Sequence, residues 1–113
     1  MKLAVIGSKE FTDYKKLKST LDKIKDVSQI ISGGAPGTDT FAKKYAQENN
    51  IAFLEFPPAF HKYEKEAKHV RDKLIVENCD NIIAFYDGKC EGTKYTLDYG
   101  KKLRKPIIII EIV

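Results

Sequence analysis

The chain has no tryptophan, one methionine, two cysteines and four prolines in 113 residues. Cys79 and Cys90 stand alone, without metal-ligand spacing; they are either a disulfide pair or, as expected in a reducing cytosol, free thiols. His61 and His69 lie eight apart on one predicted helix with no further Cys or His nearby, so no metal is expected, and no cofactor is implied. No apolar run approaches the roughly 20 residues that span a membrane. The opening Met1-Lys2-Leu3-Ala4-Val5-Ile6-Gly7 reaches glycine too early for a signal peptide and reads as a first strand. The expectation is a cytoplasmic protein with no membrane partner. Two familiar phosphate motifs are also missing. Without G-x-x-x-x-G-K-[ST] the chain is no P-loop NTPase, and without G-x-G-x-x-G after the first strand it is no ordinary NAD binder.

What is present is an ordinary globular composition, 42% hydrophobic and 32% charged, long enough for one domain over residues 1–113. The formal charge is +4 and the pI about 9.0. The lysines are spread over every predicted helix among acidic neighbours, which describes solvated faces; a nucleic-acid footprint would cluster on one side.

Strand-like and helix-like segments alternate from end to end. Leu3–Ile6, Val27–Ile31, Ile51–Phe56, Asn81–Tyr86 and Pro106–Val113 read as strands. Helices are predicted from Thr12 or Asp13 to about Lys25, from about Gly37 to Asn49, from about Tyr63 to Asn78, and from Thr93 to near Arg104. Inward faces are assigned to Tyr14, Leu17, Leu21 and Ile24, to Phe41, Ala42, Tyr45 and Ala46, and to Ala67, Val70, Leu74 and Ile75. Near-continuous apolar strands separated by helices imply an α/β three-layer, Rossmann-like domain: a mostly parallel sheet of about five strands with helices on both faces. The isoleucine run Ile107–Ile110 is apolar on both faces and is expected to be a central strand.

Ligands of such sheets bind at the carboxyl ends of the strands. Three loops leave strands there with suggestive residues: Gly7-Ser8-Lys9-Glu10-Phe11, Ser32-Gly33-Gly34-Ala35-Pro36-Gly37-Thr38-Asp39, and Asp87-Gly88-Lys89-Cys90-Glu91-Gly92-Thr93. Glycines allow close backbone approach, and the first amides of a helix are unpaired donors at its positive end. Hydroxyls and Lys9 add donors and charge, a combination suited to phosphate. Asp39 or Asp87 would accept from ribose hydroxyls, and Phe11 or Tyr86 would stack on a base. Arg71, in Lys68-His69-Val70-Arg71-Asp72, is either a bidentate phosphate clamp or a salt-bridge partner of its acidic neighbours.

Gly7-Ser8-Lys9-x-Phe11-Thr12-Asp13-Tyr14, Ser32-Gly33-Gly34-Ala35-x-Gly37-x-Asp39, Ala42-x-x-Tyr45-Ala46, Arg71-Asp72, Ala84-Phe85-x-Asp87-Gly88 and Glu91-Gly92-Thr93, in that order, resemble the YspA-like family of the SLOG superfamily. That superfamily includes the DNA-processing-protein-A fold and the Lonely Guy phosphoribohydrolases. The resemblance implies a Rossmann-like domain for nucleotides or nucleotide-derived ligands, often a sensor in bacterial and phage conflict systems. Three positions depart from the pattern. Lys9 stands where the first motif has arginine, and Asp72 where the helix motif has asparagine. Thr96 stands where the hydrolases have the glutamate after Gly-Thr that serves glycosidic cleavage.

The leading expectation is therefore binding of a nucleotide-derived small molecule, such as an ADP-ribose-type signalling nucleotide, and its sequestration. Ser8, Lys9, the Gly33–Gly37 turn and Gly92-Thr93 would hold phosphates. The alternatives are a nucleotide or nucleoside hydrolase using Glu10, Asp39, Asp87 or Glu91, and single-stranded nucleic-acid binding on an aromatic platform drawn from Phe56, Phe60, Tyr63, Phe85 and Tyr86. A homo-oligomer is expected, paired through exposed helices or an edge strand.

Overall fold

The computed structural model describes residues 1–57 and 66–112. Five strands, β1 (Lys2–Gly7), β2 (Gln29–Ser32), β3 (Ala52–Glu55), β4 (Asn81–Tyr86) and β5 (Ile107–Glu111), form one sheet in the order β3-β2-β1-β4-β5. Every neighbouring pair is parallel. The connections run through α1 (Tyr14–Leu21), α2 (Thr38–Glu48), α3 (Ala67–Asn78) and α4 (Glu91–Lys102). This is the expected three-layer α/β domain.

The two-residue period of the strands sorts the core into two layers. Leu3 and Val5 of β1, Ile30 of β2, and Ile83 and Phe85 of β4 pack with Leu17, Leu21, Ala42, Tyr45 and Ala46 of α1 and α2. Ala4, Ile6, Ile31, Ile82 and Ala84 point the other way, onto Ile75 and Val76 of α3 and Leu97 of α4. With both faces covered, the inner strands carry apolar residues at every position, as parallel sheets require.

Three sequence expectations need correction. First, the isoleucine run is an edge strand, not a central one: β5 pairs with β4 alone, and Ile108 and Ile109 remain 48% and 44% exposed. Its apolar character on both faces misled because a buried strand and a bare edge share that pattern. Second, the inward face of α3 keeps Ala67 and Ile75 as expected but is otherwise rotated. Leu74 is 38% exposed, whereas Asp72 and Val76 are buried. A stripe read from apolar residues alone misses a face that includes an aspartate. Third, α1 ends at Leu21 rather than Lys25; Asp22 caps it, and Tyr45 of α2 donates to Asp22 Oδ1 at 2.8 Å. The predicted start of α3 at Tyr63, and the stacking candidates Phe60 and Tyr63, lie outside the described residues.

The strand order reverses between β1 and β4: the chain winds to β2 and β3 on one side and to β4 and β5 on the other. Loops leaving the carboxyl ends of two such strands diverge and leave a crevice. Among the described residues no helix is long and apolar enough to cross a membrane. Both cysteines are free thiols, Cys79 buried and Cys90 half-buried.

Candidate functional site

A cleft of about 620 Å³ opens at this reversal point. Its floor is the end of β1 and the following loop, Ile6 to Glu10, so Gly7, Ser8 and Lys9 line it. From the β2–α2 turn come Ala35 and Asp39; from α3 come Lys68, His69, Arg71, Asp72 and Ile75. The far wall is Asp87 and Lys89 to Thr93, with Thr96 behind them.

The β4–α4 wall is the most open to a ligand. Asp87 Oδ1 accepts from the amides of Lys89 and Cys90, at 2.8 and 2.9 Å, in a turn that launches α4 at Glu91, two residues earlier than predicted. Those two amides hold the Asp87 carboxyl below the usual carboxylate range. No side chain caps α4. The first-turn amides of Glu91, Gly92 and Thr93 therefore carry the donor character and partial positive charge of a helix N-terminus into the cleft. A Cβ built on Gly92 would meet nothing within 4 Å. The glycine thus leaves an open approach to backbone donors.

The Ser32–Asp39 turn, in contrast, is mostly consumed by the fold. Ser32 is fully buried and donates to the Val5 carbonyl at 2.9 Å; Thr38, equally buried, donates to the Ser8 carbonyl at 2.9 Å. Gly37 caps α2 against the backbone of Ser8 and Lys9. Gly33 lies under the Arg71 guanidinium, and Gly34 lies against the Glu55 carboxylate. Of this turn only Ala35 and Asp39 reach the cleft, and Asp39 Oδ2 accepts from the Ala35 amide at 3.1 Å. Burial pushes the Asp39 carboxyl above its usual range, with the Ala35 amide and Arg71 among the groups drawing it back.

Arg71 is a salt-bridge partner of its acidic neighbour Asp72, in a largely buried pair rather than a surface one. Its Nε donates to Asp72 Oδ1 at 2.6 Å and its Nη1 to the Gly33 carbonyl at 2.8 Å, so it ties α3 to the β2–α2 turn. Arginine has five donors, and these bonds use two. Asp72, the departure from asparagine, is thus matched by a cation. Even so, burial raises its carboxyl, against the pull of Arg71.

Phe11 does not reach the cleft: it is 7% exposed and stacks on Phe85 with centroids 5.2 Å apart. Tyr86 packs on the α3/α4 side of the core, and Gly88 stands at the exposed tip of its loop with φ +81°. Sequence reasoning missed Lys68, His69, Lys89 and Cys90 as cleft residues. A helical signal existed for the first, because Lys68, Arg71, Asp72 and Ile75 fall at i, i+3, i+4 and i+7. His69 stacks on Tyr95 with ring centroids 4.0 Å apart. Thr96, at the hydrolases' glutamate position, is 3% exposed and donates to the Gly92 carbonyl at 3.0 Å.

The two raised carboxyls have a consequence for stability. A carboxyl raised by folding holds its proton more tightly in the folded state. The stability it confers is complete below the unfolded value of about 4 and is lost as pH rises through the folded value. Melting temperature should therefore fall as pH is raised above about 4. Asp72→Asn, which keeps an acceptor for Arg71, should flatten that fall in a calorimetric series. An unchanged slope would show that Asp72 does not carry it.

The fold is shared with a solved protein. The chain is similar to the X-ray structure of DNA processing protein A (DprA) from Streptococcus pneumoniae, with a TM-score of 0.84 and 17% sequence identity. The match covers 99% of this chain and 50% of that one, so the chain spans about half that protein's length. At this identity the likeness speaks to the fold. No curated protein matches the chain. The profile of the YspA, cpYpsA-related SLOG family matches residues 1–63, more than half of the chain, through β1, the Ser32–Asp39 turn and β3. The chain belongs to the YspA, cpYpsA-related SLOG family.

Proposed function

We propose that the cleft binds a nucleotide-derived small molecule by its phosphate, at the α4 N-terminus, and holds it without cleaving it. Family membership and the Rossmann-like sheet give the chain a nucleotide-binding character. The observation that carries the finer reading is the uncapped first turn of α4 with open space over Gly92. A phosphate there accepts from the Glu91–Thr93 amides and gains from the helix dipole. Lys9 and the remaining donors of Arg71 close on its other oxygens. Ser8, whose hydroxyl donates to Asp87 Oδ2 at 3.4 Å, lies beneath them, and Asp39 or Asp87 accepts from ribose hydroxyls.

The charge balance narrows the ligand. Four cationic side chains, Lys9, Lys68, Arg71 and Lys89, share the lining with five carboxylates, Glu10, Asp39, Asp72, Asp87 and Glu91. Such a cleft meets an anion with aimed amides rather than with surplus charge. That suits a compact nucleotide better than a polyanionic strand, whose binding is built on clustered cations. Held intact in this way, a signalling nucleotide would be sequestered.

Cleavage of the glycosidic bond needs a carboxyl free to give or take a proton at the sugar. Thr96 supplies none. Of the four candidate carboxylates, Asp87 is tied to two amides that favour its charged form and Asp39 is tied to Ala35. That leaves Glu10 and Glu91, both in the lining, as the groups on which a hydrolase would depend. The test is incubation with nucleoside monophosphates and ADP-ribose, followed by chromatography. Retention of intact ligand is expected; release of free base would overturn the binding-only reading.

A further inference from the structure

The outer edge of β5 presents an unusually complete template for a second strand. The Pro106 carbonyl accepts from the Ile82 amide at 2.9 Å, and the Ile112 amide donates to the Tyr86 carbonyl at 3.1 Å. Backbone groups alternate sides along a strand, so residues 106, 108, 110 and 112 bond inward to β4. Ile107, Ile109 and Glu111 then point their N–H and C=O groups away from the sheet. The Glu111 carbonyl already accepts from Lys16 Nζ at 3.1 Å, and the Lys105 amide already donates to the Gly100 carbonyl at 3.0 Å. That leaves both groups of Ile107 and of Ile109 without a partner among the described residues.

Proteins usually blunt such an edge with charge, proline or a bulge. Here Ile107–Ile110 carries no charge, and the nitrogen of Pro106, which lacks a hydrogen, faces inward, where no outward donor is lost. Ile108 on the α1/α2 side and Ile109 on the α3/α4 side are both exposed.

We infer that β5 is a pairing edge for a second copy of this chain, joined antiparallel about a twofold axis at Ile108. In that register Ile107 of each copy faces Ile109 of the other. The two pairs exchange four hydrogen bonds, which use every unpartnered group named above. Ile108 meets its own symmetry mate, and Lys105, whose Nζ donates to the Cys79 carbonyl of its own chain at 2.8 Å, lies opposite Glu111 at both ends, so the flanking charges are of opposite sign. Shifting the twofold to Ile109 would set Glu111 opposite Ile107 and require the carbonyl that Lys16 holds. The paired sheet would run continuously through ten strands, twice the five of one chain. The clefts, at the β1/β4 reversal, remain open.

The test uses the full chain. Light scattering should give a dimer, and Ile109→Lys should give a monomer whose circular dichroism is unchanged. In a Cys90→Ser background, Ile108→Cys should cross-link on mild oxidation. Facing residues at a non-hydrogen-bonded antiparallel position lie about 4.5 Å apart between Cα atoms, within disulfide reach. Ile109→Cys, which faces Ile107, should not cross-link. A wild-type monomer at all concentrations, a dimeric Ile109→Lys variant, or cross-linking at 109 instead of 108 would overturn the inference.

Discussion

Replacing Gly92 with leucine should abolish nucleotide binding and leave the fold untouched. Gly92 sits in the first turn of α4, its φ outside the left-handed region, with no atom within 4 Å of a Cβ built there. A leucine side chain is therefore accommodated at the mouth of the cleft, whose lining includes Gly92, without meeting the core. Leucine also favours a helix over glycine by roughly 0.8 kcal/mol, so the melting temperature should hold or rise slightly. The same side chain fills the space in front of the Glu91–Thr93 amides. A hydrogen bond to a charged group is worth roughly 1.5–3 kcal/mol, and losing two is a fall in affinity on the order of 100-fold or more. Calorimetric titration of wild type and variant with the same nucleotide measures this. Equal affinities would mean that the phosphate sits elsewhere.

Gly37→Ala should do the opposite: destabilise the fold severely without touching the phosphate cradle. Gly37 caps α2 at φ +75° and ψ −122°, a conformation essentially reserved for glycine. A Cβ there would lie 2.5 Å from the Lys9 carbonyl oxygen and 2.8 Å from that of Ser8. Both contacts are backbone, so no side chain can swing aside. Backbone strain of roughly 1–3 kcal/mol adds to an overpacking cost of similar size. The expected loss is about 3–5 kcal/mol, a large share of the roughly 5–15 kcal/mol that holds a domain together. Urea unfolding should show a markedly lower midpoint. A midpoint near that of wild type would contradict the close seating of the α2 cap on the β1 loop.

The contrast between these glycines marks what the sequence could and could not reveal. Strand and helix alternation was legible because buried parallel strands have an unmistakable apolar run, and the three carboxyl-end loops follow from topology. The division of labour among the loops was not. Ser32, Gly37 and Thr38 look like phosphate donors in one dimension, yet their hydroxyls and cap are spent on β1 and its loop. Phe11 looks like a base-stacking residue until Phe85 is found beside it. Gly92-Thr93 is legible as a phosphate motif, but the sequence starts the helix at Thr93, whereas an Asp87-anchored turn brings Glu91 and Gly92 into the first turn. Arg71 could be placed near the edge but not fixed to Gly33, because that bond joins residues 38 apart in the chain.

Amide NMR during titration tests the phosphate cradle most directly. Nucleoside 5′-monophosphates and ADP-ribose are added in turn to the wild-type chain and to Gly92→Leu. The largest wild-type shifts should fall on the Glu91, Gly92 and Thr93 amides, with smaller ones at Ser8 and Lys9, and should vanish in the variant. Saturable shifts centred on other residues, or no shift at these amides with any of the nucleotides at millimolar concentration, would contradict the account.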